Sequence, residues 1–128
     1  MKLLLDTHLL LWAAGGSDKL PGSARALISD RNNDLLFSAA SFWEIAIKRG
    51  LRRPDFDVQP VRLRNGLLAN GYAELPITSA HAMATERLPA IHRDPFDRLL
   101  VAQAESEGIR LLTADATLPD YGDVVLKV

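Results

Sequence analysis

The sequence contains no cysteine, which excludes disulfides and every thiolate metal site. That absence suits a reducing compartment, and a cytoplasmic location is expected. Only 3 histidines are present, at 8, 81 and 92, and none forms a His-x-x-x-His pair, so a zinc centre of that pattern is excluded. Basic and acidic residues nearly balance, giving a net charge of −1 and no global field to draw in a polyanion. Any phosphate binding must then come from local basic groups or from a bound cation. Long apolar runs are missing as well. Leu3-Leu4-Leu5 and Leu9-Leu10-Leu11-Trp12 are split by Asp6 and His8, so they fall short of a membrane span or a secretory signal. Repeats, low-complexity tracts and linkers are also lacking.

What remains is an ordinary globular composition, 48% hydrophobic and 24% charged over 128 residues, and one domain spanning 1–128 is expected. Leu3–Leu5 reads as a strand buried on both faces and ending at Asp6, and His8–Ala14 as a helix stopped by Gly15-Gly16. A helix after Pro21-Gly22, a strand at Leu35–Phe37 and a helix over Phe42–Arg49 stopped by Gly50 follow. Residues 53–60 read as a loop, then come a helix over Val61–Ala69, a strand over Ala73–Ile77, and a helix capped by Thr78 or Ser79 and running to Arg87. Asp94-Pro95 is a strong helix start, and that helix runs to Gly108. Strands at Ile109–Thr113 and Val124–Val128 complete the chain. Alternating strands and helices predict a three-layer α/β/α sandwich around a mostly parallel sheet of four to five strands. In such a sheet ligands bind beyond the carboxyl ends of the strands.

The acidic residues near those ends each have a structural explanation. Asp6 can cap the following helix. Ser41-Phe42-Trp43-Glu44 matches a capping box, and Glu44 faces Lys48 at the favourable i,i+4 spacing. Asp94 reads as an N-cap, Asp97 lies in the same first turn, and Asp115 can cap the turn at Ala116–Leu118. Their shared edge is harder to explain this way. Carboxylates gathered there repel by about 3 kcal/mol per pair at about 5 Å and an effective dielectric near 20. A hard divalent cation such as Mg²⁺ or Mn²⁺ removes that repulsion, because it prefers oxygen ligands.

Four segments carry a resemblance. Leu3-Leu4-Leu5-Asp6-Thr7, Ser38 to Lys48, His92-Arg93-Asp94-Pro95-Phe96-Asp97-Arg98 to Ala104, and Leu111-Leu112-Thr113-Ala114-Asp115 resemble, in order and spacing, the motifs of PIN-domain ribonucleases of the VapC type. The resemblance implies metal-binding acids at Asp6, Glu44, Asp97 and Asp115, with Asp6 and Asp97 as principal ligands. It implies a supporting hydroxyl at Thr113 and a secondary role for Asp94. It further implies internal cleavage of RNA with Mg²⁺ or Mn²⁺, one or two ions being left open. The toxin half of a toxin–antitoxin pair, a homodimer and a cognate antitoxin partner are implied too, and no membrane role.

Around this set, Lys48, Arg49, Arg93 and Arg98 are candidate RNA contacts, with Arg52 and Arg53 extending the first cluster. For Arg98 the alternative is neutralisation of a neighbouring acid. Gln103, inside an otherwise apolar helix, reads as a satisfied buried amide. Trp12, Phe42 and Trp43 read as core or interface, with base stacking as a secondary role. The histidines read as structural, with a place at the border of the cleft as a secondary role for His8 and His92. A phosphorelay receiver would need an acidic pair at the first strand end, and a haloacid-dehalogenase phosphatase a second aspartate where His8 stands. Both fail on residue identity. A catalytically silent domain that only binds RNA or protein remains the competing reading.

Overall fold

The computed structural model describes residues 1–52 and 57–128; residues 53–56 of the loop expected over 53–60, the basic Arg53 among them, lie outside these. The chain begins with β1 (Lys2–Leu5) and α1 (Thr7–Ala14), followed by α2 (Gly22–Ser29), β2 (Asp34–Ser38) and α3 (Ala39–Gly50). Then come α4 (Pro60–Ala69), β3 (Ala73–Leu75), α5 (Ser79–Ala84), α6 (Pro95–Glu107), β4 (Arg110–Thr113) and β5 (Val125–Lys127). All pairings are parallel, and the strand order is β3-β2-β1-β4-β5. The expected sandwich is therefore present, with a sheet parallel throughout. Among the described residues no helix is long and apolar enough to cross a membrane.

The apolar run of β1 explains its central place. Leu3 and Leu5 point into one core with Leu9, Leu10, Ala24, Phe37 and Leu67. Leu4 points into the other with Leu100, Val101, Ala104 and Leu111. A strand buried on both faces needs helices on both sides, which the right-handed β-α-β crossovers of a parallel sheet supply.

Several boundaries differ from the sequence reading for identifiable reasons. β3 stops at Leu75 because Pro76 has no N–H to donate. The helix after Thr78 ends at Ala84 and tightens to a 3-10 turn over Thr85–Arg87. Gly50 does not stop α3; it is the last helical residue, and the left-handed conformation falls on Arg52 (φ 53°). The Ser41–Glu44 capping box is absent, because α3 starts directly after β2 with Ser38 as its N-cap. At α6, by contrast, Asp94 caps and Gly108 closes the helix in the left-handed region that a side chain disfavours.

Candidate active site

The acids meet at the carboxyl edge of the sheet. Asp6 leaves β1 and caps α1, its Oδ1 accepting from the Leu9 N–H at 2.9 Å. Its Oδ2 accepts from the Thr113 hydroxyl at 2.5 Å, and Thr113 Oγ1 in turn accepts from the Asp115 N–H at 3.0 Å. The last residue of β4 thus locks the acid after β1 to the acid after β4. Asp115 also organises its own turn, accepting from the backbone and hydroxyl of Thr117 at 2.8 and 2.7 Å. Glu44 projects from α3, nearly buried, with Lys48 Nζ at 2.8 Å, as the i,i+4 spacing predicts. Ser41, one turn earlier, accepts from the Thr7 hydroxyl at 2.9 Å and so ties α3 to the start of α1.

Asp97 and Asp115 approach each other around His92. The imidazole Nε2 lies 3.7 Å from Asp97 and 3.4 Å from Asp115. One donor atom from each of the three lies within 4.8 Å of the others. His92 Nδ1 accepts from the Asp94 N–H at 3.2 Å, which leaves Nε2 to carry the proton that faces the carboxylates. From the sequence His92 reads as structural, with the border of the cleft as a secondary role; the structure places it among the acids. The loop that carries it is held by Tyr121, whose hydroxyl accepts from the His92 N–H at 3.0 Å.

The electrostatics bear the mark of crowded carboxylates. Burial pushes Asp97 up to about 7, helped by the charges of Asp94, Asp6 and Glu44 and opposed by His92. Burial also raises Asp6, against the bonds from Thr113 and Leu9. Asp115 goes the other way. Desolvation works to raise it, but the Thr117 bonds and His92 hold its carboxyl below the ordinary range. Asp115 Oδ1 is filled by its two bonds from Thr117, but each of the four carboxylates keeps at least one oxygen with a free lone pair, so the set fits a hard divalent cation.

Structural comparison places this arrangement on a known fold. The complex of VapBC2 from Rickettsia felis bound to a promoter DNA fragment superposes with a TM-score of 0.69 at 13% identity, covering 100% of this chain and 98% of that one. FitAcB from Neisseria gonorrhoeae gives 0.62 at 16% identity, covering 98% and 96%. In sequence, the PIN domain pattern matches residues 3–124. The chain belongs to the PIN-domain family. Ribonuclease VapC22 of Mycobacterium tuberculosis is 30% identical over 120 residues, spanning 93% of this PIN domain and 91% of that relative. The VapC resemblance of the four motifs holds across the chain.

The basic residues of this PIN domain divide. Lys48 is bound to Glu44, Arg49 donates to Gln59 at 3.1 Å, and Arg93 is exposed beside His92. Arg98 is committed elsewhere: its guanidinium donates to the carbonyls of Pro89 and Thr85 at 2.9 Å each, to that of Leu88 at 3.4 Å and to the Tyr121 hydroxyl at 3.3 Å. Neither RNA contact nor neutralisation of an acid describes this geometry; Arg98 braces the turn that leads to His92. The aromatic residues divide as well. Phe42 packs edge-on against the buried Phe37, and Trp12 joins the same core. Trp43 does not; it is 58% exposed and meets Phe96 edge-on at 5.1 Å, a pair whose members stand next to Glu44 and Asp97 in sequence.

Proposed function

We propose that this PIN domain is a Mg²⁺- or Mn²⁺-dependent endoribonuclease acting as the toxin of a VapBC-type pair, working as one domain over 1–128 in the cytoplasm. The observation that carries the reading is the shared edge: Asp6, Glu44, Asp97 and Asp115 leave four different elements and act on one another's charge there. Asp6 and Asp97 are the principal metal ligands, and Glu44 and Asp115 complete the set or orient the attacking water. A bound cation at this place would acidify a water and neutralise charge on the phosphoryl oxygens. The protein's own groups prepare that chemistry. Thr113 orients Asp6 and the Asp115 turn together, and Lys48 holds Glu44. Asp94 presents Asp97 from the first turn of α6, accepting from the N–H groups of Phe96 and Asp97 at 2.8 and 3.3 Å.

Lys48, Arg49 and Arg93 supply the positive charge for the RNA backbone, and the exposed indole of Trp43 offers a face to an unpaired base. Trp43 and Ile47 on α3 and Leu51 at its C-cap recur every fourth residue as exposed apolar side chains. They support a protein partner on the same surface, either the antitoxin or a second copy of the chain. An antitoxin lying there would exclude RNA directly.

The test is cleavage of total RNA by the metal-stripped protein, with cut sites mapped before and after Mn²⁺ or Mg²⁺ is restored. Discrete cuts that need the ion and are suppressed by the cognate antitoxin are expected. Intact RNA under every metal condition would leave a domain that only binds.

A further inference from the structure

Gln103 is fully buried on α6, where an amide must find partners or lose substantial hydrogen-bonding energy. It finds them on other elements. Its Oε1 accepts from the Ser38 hydroxyl at 2.5 Å. Its Nε2 donates to the Pro76 carbonyl at 3.3 Å and lies 3.4 Å from Nδ1 of the buried His81. Ser38 is the N-cap of α3, its Oγ accepting from the Ala40 N–H at 3.0 Å. His81 Nδ1 also accepts from the Thr78 N–H at 3.1 Å, so its Nε2 carries the proton and donates to Glu107 at 2.9 Å.

Four of these bonds point one way, with the Pro76 carbonyl and the Thr78 N–H as side branches. The chain runs from Ala40 N–H to Ser38, from Ser38 to Gln103, from Gln103 to His81, and from His81 to the carboxylate of Glu107. Hydrogen bonds aligned in series strengthen one another. This series begins on the unsatisfied N–H groups of the first turn of α3 and ends on a surface anion.

We infer that Gln103 is a positioning residue that ties the helix bearing Asp97 to the cap of the helix bearing Glu44, and thereby sets the spacing of the two carboxylates. Asp97 lies six residues before Gln103, and Glu44 six residues after Ser38, so each acid sits about 9 Å of helix from the tie. α3 and α6 pack against each other, and like charges on the two acids would push the helices apart where they meet. A fixed bond between the helices resists that push. A leucine of similar size would fill the space but leave the Ser38 hydroxyl and the Pro76 carbonyl without the amide that bonds them. The inference rests on the metal-centre reading of the site.

A double-mutant cycle tests it, using Gln103→Leu, Ser38→Ala and the pair in the full chain. Mn²⁺ affinity is read by electron paramagnetic resonance, RNA cleavage as kcat and KM, and Ala40 amide exchange by NMR. Gln103→Leu should weaken Mn²⁺ binding about tenfold and lower kcat similarly with KM unchanged, no more than the lower end of the loss seen when a group bonded directly to a metal ligand is removed. The double variant should be no worse than the worse single one. Mn²⁺ affinity and kcat within about twofold of wild type in a folded Gln103→Leu, whatever its Tm, would show a merely structural role and overturn the inference. If that variant does not fold, Gln103→Met takes its place, and Gln103→Glu, which keeps the acceptor for Ser38, must recover most of the loss. A wild-type protein that binds no Mn²⁺ would instead sink the functional reading. The tie is then judged on Ala40 exchange alone, which should quicken about tenfold in the variant and would contradict the tie if unchanged.

Discussion

At the scale of single residues, Asp97 concentrates the cost of bringing the acids together. Its carboxyl, raised to about 7, binds a proton more tightly in the folded protein than in the unfolded chain at 3.8. That preference favours the metal-free fold fully below 3.8 and is lost as pH rises through about 7. Asp97→Asn should therefore raise the Tm of the metal-free protein at about pH 8, by an amount corresponding to about 2 kcal/mol, while removing Mn²⁺ binding. A lowered Tm would contradict the repulsion argued for this site. The same proton must leave before a cation can bind. Mn²⁺ affinity measured by calorimetry should fall steeply, by up to about tenfold per pH unit, below neutrality and level off above it. Trp43→Ala belongs to this scale too. It should raise KM for RNA several-fold with kcat kept, because the indole is exposed and packs edge-on against Phe96. An unchanged KM would remove Trp43 from the RNA surface and leave it to a protein partner.

Among the elements, α6 shows what a local pattern can and cannot tell. Asp94-Pro95 announces the helix start in sequence, and the structure puts the cap there. The neighbouring cue misleads: Ser41 and Glu44 fit a capping box, yet β2 runs straight into α3 and Ser38 takes the cap, because its hydroxyl has a buried partner in Gln103. No spacing rule links residues that far apart. The role of Asp94 can be separated by substitution. Asp94→Ala should cost about 1 kcal/mol in a denaturation experiment, whereas Asp94→Ser should restore that stability. The serine also removes a charge that raises Asp97, so it should move the pH dependence of Mn²⁺ binding to lower pH. Arg98 was illegible for a similar reason, since its acceptors are mostly carbonyls of an irregular turn that leave no trace in side-chain pattern. Arg98→Ala should destabilise by about 2 kcal/mol, and Arg98→Lys should recover less than half, since a lysine cannot span the same acceptors. Full recovery by lysine would make a point charge sufficient.

For the whole molecule, topology brings the site together. The strand order places β1 between β2 and β4, so the acids after β1 and β4 and the helix after β2 emerge side by side. Alternating elements, apolar β1 and the four motifs were enough to foresee that edge and its acids. They could not foresee that Thr113 couples Asp6 to Asp115, or that Tyr121 brings His92 among the carboxylates. Those contacts depend on loop paths that only the assembled sheet defines. The most direct measurement is therefore on Asp6, the acid that Thr113 locks in place. RNA cleavage with Mn²⁺ should be compared between wild type and Asp6→Asn, with folding of the variant checked by circular dichroism. Loss of at least about a hundredfold in rate, with the fold intact, is the predicted result for removing a metal ligand. Cleavage at the wild-type rate by the folded variant would contradict the metal-carboxylate account.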